Sequence, residues 1–254
     1  MQASRWLRPQ RTEHFNNMLL LKKIKKILRW MVVVFLGSTI LSVVALRFLP
    51  VYFTPLMFIR VGQQVMEGKE IRLRHTWVPL EKISPDLPKA VMASEDSHFL
   101  SHHGFDFKAI ESAARRNLRS NGKRRLGAST ISQQTAKNVF LWPGRTWTRK
   151  AFEVYFTALI ELMWSKQRIM EVYLNSIEMG DGIYGAEAVA RSNFGCSANE
   201  LTSGQCALIA ATLPNPIRFD SSRPSPYVIK RKARILHEMK YVKRLPREGE
   251  DIGK

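Results

Sequence analysis

Three short segments of this sequence carry polar and charged side chains at spacings that suit acid–base catalysis or phosphate binding. The first segment runs from Glu95 to Asp106 and contains two adjacent carboxylates, three histidines and a turn at Gly104. A carboxylate in such surroundings can serve as a general base, because neighbouring charges and burial set its affinity for a proton. The same composition occurs at ordinary helix ends on protein surfaces, so this segment alone leaves both interpretations open. His98 and His102 have the spacing of metal ligands on a helix, but no third ligand is indicated and we expect no metal site.

The second segment predicts a helix that begins with hydroxyl and amide side chains and carries a lysine within two turns. A loop of small residues enters this helix at Ser129 or Thr130. Groups at a helix N-terminus bind phosphate oxygens, and a lysine adds a positive charge. A plain capped helix with a polar face is the alternative. The candidate binding side chains of the segment are Ser129, Thr130, Gln133, Gln134, Lys137 and Asn138.

The third segment places one carboxylate within reach of two cations on a predicted helical face. Glu153 follows Arg149 by four residues and Lys150 by three, and Arg145 lies one turn earlier. Such a set is commonly a solvated salt-bridge group, whereas beside a phosphate site it would supply a second functional carboxylate. Both interpretations remain open from the spacing alone.

The elements that must position these segments are mainly helical, because apolar residues recur between them at helical spacing. Good strand candidates are scarce, and the best is Ile71–Val78. The predicted helix that starts at Ser165 carries Glu171 and Asn175. These residue types are compatible with structural polar contacts as well as with a role at the site. Helices are predicted over Asp86–Phe99, from Asp106 onwards, over Arg145–Trp164, from Ser165 onwards, with Ile169, Val172, Tyr173 and Ile177 facing inward, and over Thr202–Leu213.

The charge of the chain is concentrated towards its ends. The chain has 254 residues, 40 Lys and Arg against 21 Asp and Glu, and a net charge of +19. Residues 1–30 carry eight cations and one acid, whereas residues 61–227 carry 21 cations and 16 acids. The central domain is therefore only mildly basic, and we expect no nucleic-acid partner. A hydrophobic fraction of 45% excludes a disordered chain, and two cysteines exclude a disulfide scaffold.

The N-terminal segment is typical of a membrane anchor. Five cations between Lys22 and Arg29 precede Trp30–Leu46, a run of 17 residues without a charge. As a helix this run would span about 26 Å, close to the bilayer core of about 30 Å. The positive-inside rule then places the basic flank in the cytoplasm and the rest of the chain outside. A cleaved signal peptide ending near residues 43–45 and a buried core helix are the alternatives.

Taken together and in order, the segments resemble the five motifs of the peptidoglycan glycosyltransferases. The resemblance covers about residues 75–236, and the short chain leaves no room for a transpeptidase domain, which indicates the monofunctional branch of Gram-negative bacteria. Near Phe194 the family often has Phe-Gly-Lys, whereas Cys196 stands here in place of the lysine. The matching motifs are Glu95–Asp106, Gly127–Asn138, Arg149–Glu153, Ile169–Asn175 and Ala207–Pro216.

The resemblance implies a fold, a reaction and a role for each cluster. The fold would be a single lysozyme-like helical catalytic domain preceded by one transmembrane helix. The reaction would polymerise lipid II into β-1,4 glycan with inversion and release of undecaprenyl pyrophosphate. Glu95 would be the base and Glu153 a second essential carboxylate, with Lys137 and Arg145 at the pyrophosphate. The remaining substrate-binding positions would be Ser129, Thr130, Gln133, Gln134, Asn138, Arg149 and Lys150.

The resemblance also implies partners and a location. The partners would be lipid II, the growing glycan chain, membrane lipids and other cell-wall synthesis proteins. No cofactor is required, although some family members bind Mg²⁺ or Mn²⁺ at the pyrophosphate. The chain would cross the inner membrane once, with a cytoplasmic N-terminus and a periplasmic catalytic domain. We expect four parts: a cytoplasmic basic segment at 1–29, an anchor and membrane-proximal apolar stretch at 30–59, the glycosyltransferase domain at 60–240 and a charged tail at 241–254.

Two other functions remain open from the sequence. A lysozyme-like muralytic enzyme is also helical and depends on one glutamate, but it does not need Lys137, Arg145 or an anchor. A non-catalytic cell-wall scaffold would not need Glu95 and Glu153. The basic segment Arg115–Arg125, with six cations, is expected either to touch anionic lipid headgroups or to be a solvated loop.

Overall fold

The computed structural model describes residues 8–119 and 127–246, and the chain divides into two units, Met1–Ala45 and Leu46–Lys254. Residues 120–126, which include half of the predicted basic segment Arg115–Arg125, and the ends at 1–7 and 247–254 lie outside the described residues. The first unit contains most of the predicted anchor, and the second unit contains all of the motif segments.

The first unit consists of helix α1, Arg8–Phe48, which continues three residues into the second unit. Its portion Asn16–Phe48 is long and apolar enough to cross a membrane. Large apolar side chains from Trp30 to Leu36 are exposed, which does not fit the alternative of a buried core helix. One N-terminal apolar helix fits the membrane anchor that the sequence predicts.

The second unit is mainly α-helical, which confirms the predicted fold class. Within residues 46–119 and 127–246, three short strands form a small sheet in the order β1-β3-β2. Two short 3₁₀ turns, Leu80–Lys82 and Ala198–Glu200, connect the longer elements. The helices and strands are α2 Pro55–Met66, β1 Arg74–His75, α3 Asp86–Glu95, α4 Phe107–Arg119, α5 Ile131–Phe140, α6 Trp147–Met163, α7 Lys166–Ser176, β2 Glu178–Gly180, β3 Ile183–Tyr184, α8 Ala186–Phe194, α9 Ser203–Thr212 and α10 Pro226–Glu238.

The predicted strand Ile71–Val78 is wrong over most of its length. Only Arg74 and His75 pair with another strand, running parallel to β3. Beyond them the backbone of Val78 is held by a side chain instead, because Asn175 accepts its N–H at 2.9 Å and donates to its carbonyl at 2.9 Å. The Asn175 amide thus takes the place of a neighbouring strand.

The helix starts follow the predicted caps. Ser165 and Thr202 each accept a backbone N–H from the first turn of the helix that follows, as expected. Of the two predicted starts of α5, Thr130 is the cap, and it forms a reciprocal capping box with Gln133. Asp106 accepts the N–H of Ala109 at 2.8 Å at the start of α4. Hydroxyl and carboxylate caps therefore fix where the site-bearing helices begin.

The predicted helix Asp86–Phe99 ends four residues early, at Glu95. Asp96 leaves the helix with a φ of −161° and turns its buried carboxylate towards α5, where it accepts the N–H of Ile131 at 2.9 Å. This contact satisfies one of the open donors at the start of α5. The break in α3 thus places Glu95 at a helix end beside α5.

The core forms around α7 and α9. The side chains on α7 predicted to face inward, together with Ile177 just after it, are buried. Helix α9 is buried from Cys206 to Thr212, and α3 and α10 pack against it. Both cysteines, Cys196 and Cys206, are free thiols. The buried helix α9 therefore supports α3, whose last residue is Glu95.

Candidate active site

The Glu95 carboxylate is held by three donors from three different elements. Oε1 lies 3.0 Å from the Ser94 hydroxyl and 3.4 Å from Nη2 of Arg231 on α10. Oε2 accepts from the Gln134 side-chain amide on α5 at 3.2 Å. About 85% of the Glu95 side chain is shielded from solvent, since its relative exposure is 15%. A carboxylate this constrained can present one orientation to a substrate hydroxyl.

Tyr173 fixes the amide that holds Glu95. Its hydroxyl donates to the side-chain oxygen of Gln134 at 3.1 Å, which leaves the amide nitrogen pointing at Glu95. Burial, together with the negative charges of Glu95 and Asp96, holds the pKa of Tyr173 well above its ordinary value. The hydroxyl therefore stays protonated and remains a donor.

A buried polar network joins the first two motif segments. His102 Nδ1 accepts the N–H of Gly104 at 3.2 Å, so Nε2 carries the ring proton and donates to Asp96 at 2.9 Å. The Thr130 hydroxyl donates to the carbonyl of Gly104 at 2.7 Å. With Asp96 bound to Ile131, these contacts fix the spacing between α3 and α5.

The two histidines at metal-ligand spacing serve different partners. His98 Nδ1 lies 2.8 Å from the Asp106 carboxylate, whereas His102 faces Asp96. Within residues 8–119 and 127–246, no three His, Cys, Asp or Glu side chains meet as a metal site. The hydrogen bonds of these histidines instead organise the turn between α3 and α4.

Three cations, Lys137, Arg149 and Lys150, surround Glu153 on α6. We call these four residues the cation cluster. Arg149 Nη1 lies 2.5 Å from one oxygen of Glu153, and Lys150 Nζ binds the other. Glu153 and Arg149 are buried, in contrast to the solvated salt-bridge group that the sequence also allowed. Arg149 Nε is buried without a hydrogen-bond partner among the described residues. This buried N–H is therefore one polar group that the described residues leave without an acceptor.

Lys137 brings a further positive charge to the same place from α5. Burial lowers the pKa of Lys137, the cations Arg149 and Lys150 lower it further, and the negative charges of Glu153 and Glu95 act in the opposite direction. Its ammonium forms no ion pair within the part of the chain that the structure describes. An unpaired, partly buried ammonium between two carboxylates is an attractive partner for an incoming anion.

The other predicted site residues differ in how closely they approach Glu95. Thr130 and Gln133 form the capping box of α5, and Asn138 is buried on the same helix. Ser129 is exposed at the wall of a polar cavity of about 350 Å³ that Glu95 also lines. Arg145 is exposed in the turn before α6 and forms no ion pair with a described residue.

A comparison with known protein families decides what these residues belong to. A family model described as Transglycosylase matches residues 62–240. This chain belongs to the transglycosylase family. It is 61% identical to a biosynthetic peptidoglycan transglycosylase of Bacteroides thetaiotaomicron, over 88% of this chain and 90% of that protein. Proteins of the same name from Bdellovibrio bacteriovorus and Caulobacter vibrioides are 52% and 49% identical, over 82% and 84% of this chain and 82% and 89% of their own lengths.

The family membership makes this transglycosylase a glycosyltransferase whose family is known for lipid II polymerisation. Its fourth motif has a structural role, because Arg168 binds Glu171 at 2.6 Å and donates to the carbonyl of Leu46 at 2.8 Å. Glu171 also accepts the N–H of Leu80. The fifth motif forms α9, the buried helix that supports α3 and α10.

The transglycosylase site also contains three residues to which the sequence assigned no role at the site. Ser94 and Arg231 hold Glu95, and Tyr173 holds Gln134. Ser94 adjoins the first motif and Tyr173 lies in the fourth, so the motif spacing could have suggested both. Arg231 is 136 residues from Glu95 in sequence, and no local pattern connects the two.

Proposed function

We propose that this transglycosylase elongates glycan strands by transferring the growing chain onto lipid II, with Glu95 as the base. The 4-hydroxyl of the acceptor GlcNAc attacks C1 of the donor sugar while Glu95 removes the hydroxyl proton. The bond between C1 and the pyrophosphate oxygen breaks, and undecaprenyl pyrophosphate leaves with the electron pair. Attack from the opposite face converts the α-linked donor into a β-1,4 link.

The observation that carries this proposal is the position of an unpaired ammonium near a shielded carboxylate. Lys137 forms no ion pair with a described residue, its charge interacts with that of Glu95, and it lies one helical turn from the Gln134 amide that binds Glu95. Negative charge develops on the leaving pyrophosphate, and fixed cations stabilise it more in the transition state than in the bound substrate. The same helix thus serves both the base and the leaving group.

The remaining predicted residues take supporting roles in this proposal. Glu153 holds Arg149 and Lys150 in place, because both of its oxygens accept from them. Arg145 is exposed and would add its charge to a pyrophosphate that arrives at the turn before α6. Gln134 would hold the base. Ser129 is exposed and is left to contact the sugar–phosphate region, whereas Thr130, Gln133 and Asn138 are buried and would act by holding α5 in place beside it.

We propose that the chain needs no cofactor of its own. The donor set does not fit a resident divalent ion, because both oxygens of Glu153 are already bound by cations. An Mg²⁺ or Mn²⁺ ion would therefore enter only with the oxygens of the substrate's pyrophosphate, and the protein-derived steps do not depend on it.

We propose an inner-membrane location with the catalytic unit in the periplasm. The basic flank of α1, from Lys22 to Arg29, favours a cytoplasmic N-terminus, and the lipid tail of the substrate requires a site at the membrane surface. Other cell-wall synthesis proteins are the expected partners. In spheroplasts, a membrane-impermeant thiol reagent should label exposed Ser222→Cys but not Lys22→Cys, both in a Cys196→Ser background. Labelling of Lys22→Cys alone would reverse the orientation.

The product formed from each substrate tests the reaction. We expect the detergent-solubilised full chain to convert purified lipid II into a glycan ladder and to release no fragments from isolated sacculi. Fragment release from sacculi without polymer formation would identify a muralytic enzyme. Activity towards neither substrate, by a chain shown to be folded, would favour a scaffold.

A further inference from the structure

Arg231 connects the last helix of the domain to the proposed base. Its Nη2 lies 2.9 Å from the Ser94 hydroxyl and 3.4 Å from Oε1 of Glu95. Only 16% of the Arg231 side chain is exposed, and α10 itself packs on α9 and α3. The positive charge of the Arg231 guanidinium therefore lies next to the Glu95 carboxylate, and both groups are largely shielded from solvent.

The hydrogen bonds around Glu95 all run towards its carboxylate. Arg231 donates to the oxygen of Ser94, and the single hydroxyl proton of Ser94 is directed to the charged Oε1 of Glu95 at 3.0 Å in preference to the more distant Ala210 carbonyl at 3.3 Å. Gln134 donates to the other oxygen. A carboxylate has about four lone-pair sites, and three donors leave one of them for a substrate hydroxyl. The arrangement thus limits the direction from which Glu95 can take a proton.

The contacts of Arg231 differ from those of an arginine that only stabilises the fold. Its Nε is buried and has no hydrogen-bond partner in the described chain. A buried guanidinium N–H without an acceptor destabilises the fold. Arg231 therefore keeps an unfavourable environment while one end of its guanidinium contacts Glu95.

We propose that Arg231 is a positioning residue, which holds the Glu95 carboxylate in the orientation that accepts the acceptor's proton. This inference rests on the proposed role of Glu95 as the base. Arg231 acts on Glu95 directly and through Ser94, and it forms no bond with the reacting atoms. Its loss affects the chemical step more than the binding of lipid II, because the cation cluster stays intact.

Steady-state kinetics of lipid II polymerisation by the full chain test this role. We expect Arg231→Ala to lower kcat by about 10- to 100-fold, the factor associated with a lost hydrogen bond to a charged group, with KM changed by less than about threefold. Added methylguanidinium should restore part of kcat in Arg231→Ala but none in Glu95→Gln. Arg234→Met is the matched control, because Arg234 lies one turn further on α10, is 59% exposed and pairs with Glu238. It should keep wild-type kcat.

Arg231→Lys keeps a positive charge and most of the volume, so it covers the case in which the alanine variant does not fold. We expect it to fold and to lose kcat several-fold at unchanged KM. Unchanged kcat in either folded variant, a rise in KM alone, or a loss of kcat that methylguanidinium does not restore would overturn the proposal. If the wild-type chain makes no polymer, the proposed function fails; if it does and the Arg231 variants match it, only the positioning role fails.

Discussion

Lys137 is the single residue whose ionisation most directly couples the site to pH. Burial lowers its pKa below the ordinary value of 10.5, so its charge is lost at a lower pH than that of a solvent-exposed lysine. The unfolded chain binds this proton more tightly, so folding stability from this group rises as the pH increases between the lowered pKa and 10.5. Activity should fall over the same pH window, which separates a functional loss from unfolding.

We expect the alkaline limb of the lipid II polymerisation profile to lie below pH 10.5 and to move to higher pH in Lys137→Arg, because an arginine stays charged. Lys166→Arg is the control: burial also lowers the pKa of Lys166, but its partner is Glu161, outside the cation cluster. The measurement is kcat/KM against pH. An alkaline limb that does not move in Lys137→Arg would contradict a role for this ammonium in leaving-group stabilisation.

Replacing Lys137 by an uncharged residue tests its role more severely than Lys137→Arg does. Lys137→Met should lower kcat by about 10²- to 10³-fold, the effect of deleting one preorganised donor to developing negative charge. The folded state should not lose stability, since the buried ammonium forms no ion pair within residues 8–119 and 127–246. Thermal melting of the variant checks this second point, and near-wild-type turnover would contradict the first.

Among the elements, α5 does most to assemble the site. Its cap, Thr130, binds Gln133 and Gly104, and its next turns carry Gln134 towards Glu95 and Lys137 towards the cation cluster. Residues three apart on a helix share a face, so one short helix orients both groups. The position of α5 therefore sets the distance between base and leaving group.

A pair of capping-box variants separates the effect of α5 on stability from its effect on activity. Thr202→Ala should cost about 1 kcal/mol of unfolding free energy, and Thr130→Ala about 2 to 4 kcal/mol, because the buried Gly104 carbonyl also loses the Thr130 hydroxyl. Only Thr130→Ala should also lower kcat, because Thr202 caps α9 away from Glu95. Urea unfolding and lipid II turnover measure the two quantities. Equal kcat in both variants would show that the cap of α5 does not position the site.

The helices that carry this site can be predicted from the sequence better than the residues at which those helices end. Caps such as Thr130 and Ser165 act through neighbouring backbone groups, so a local pattern identifies them. The early end of α3 depends on Asp96 reaching the N–H of Ile131, 35 residues away, and helical periodicity contains no sign of it. Short-range patterns thus predict helices, and long-range polar contacts decide where they stop.

The same distinction applies to the site residues. Glu153 with Arg149 and Lys150 was visible as an i, i+3, i+4 pattern, although the pattern did not reveal that Glu153 and Arg149 are buried. Arg231 was invisible because its partner lies on another helix, 136 residues away. Contacts within one helix can be predicted from spacing, whereas contacts between helices require the fold.

At the scale of the whole molecule, the net charge of +19 does not describe one polyanion-binding surface. The basic flank of α1 suits an orientation signal, and the catalytic unit concentrates its functional charge in the cation cluster. The substrate that matches both features carries a lipid tail and a pyrophosphate. A single membrane-bound anion therefore accounts for the anchor and for the buried cations together.

The most direct test of this account is the rate of glycan formation from purified lipid II by wild type and Glu95→Gln. The glutamine keeps the shape of the side chain but cannot take a proton, so we expect kcat to fall by about 10²- to 10⁴-fold, the usual contribution of a general base. KM should stay close to the wild-type value, and the melting temperature should fall by only about 2–8 °C, because the amide nitrogen of the glutamine faces a donor that Glu95 accepted. Wild-type polymerisation by a folded Glu95→Gln chain would contradict the assignment of Glu95 as the base and the mechanism built on it.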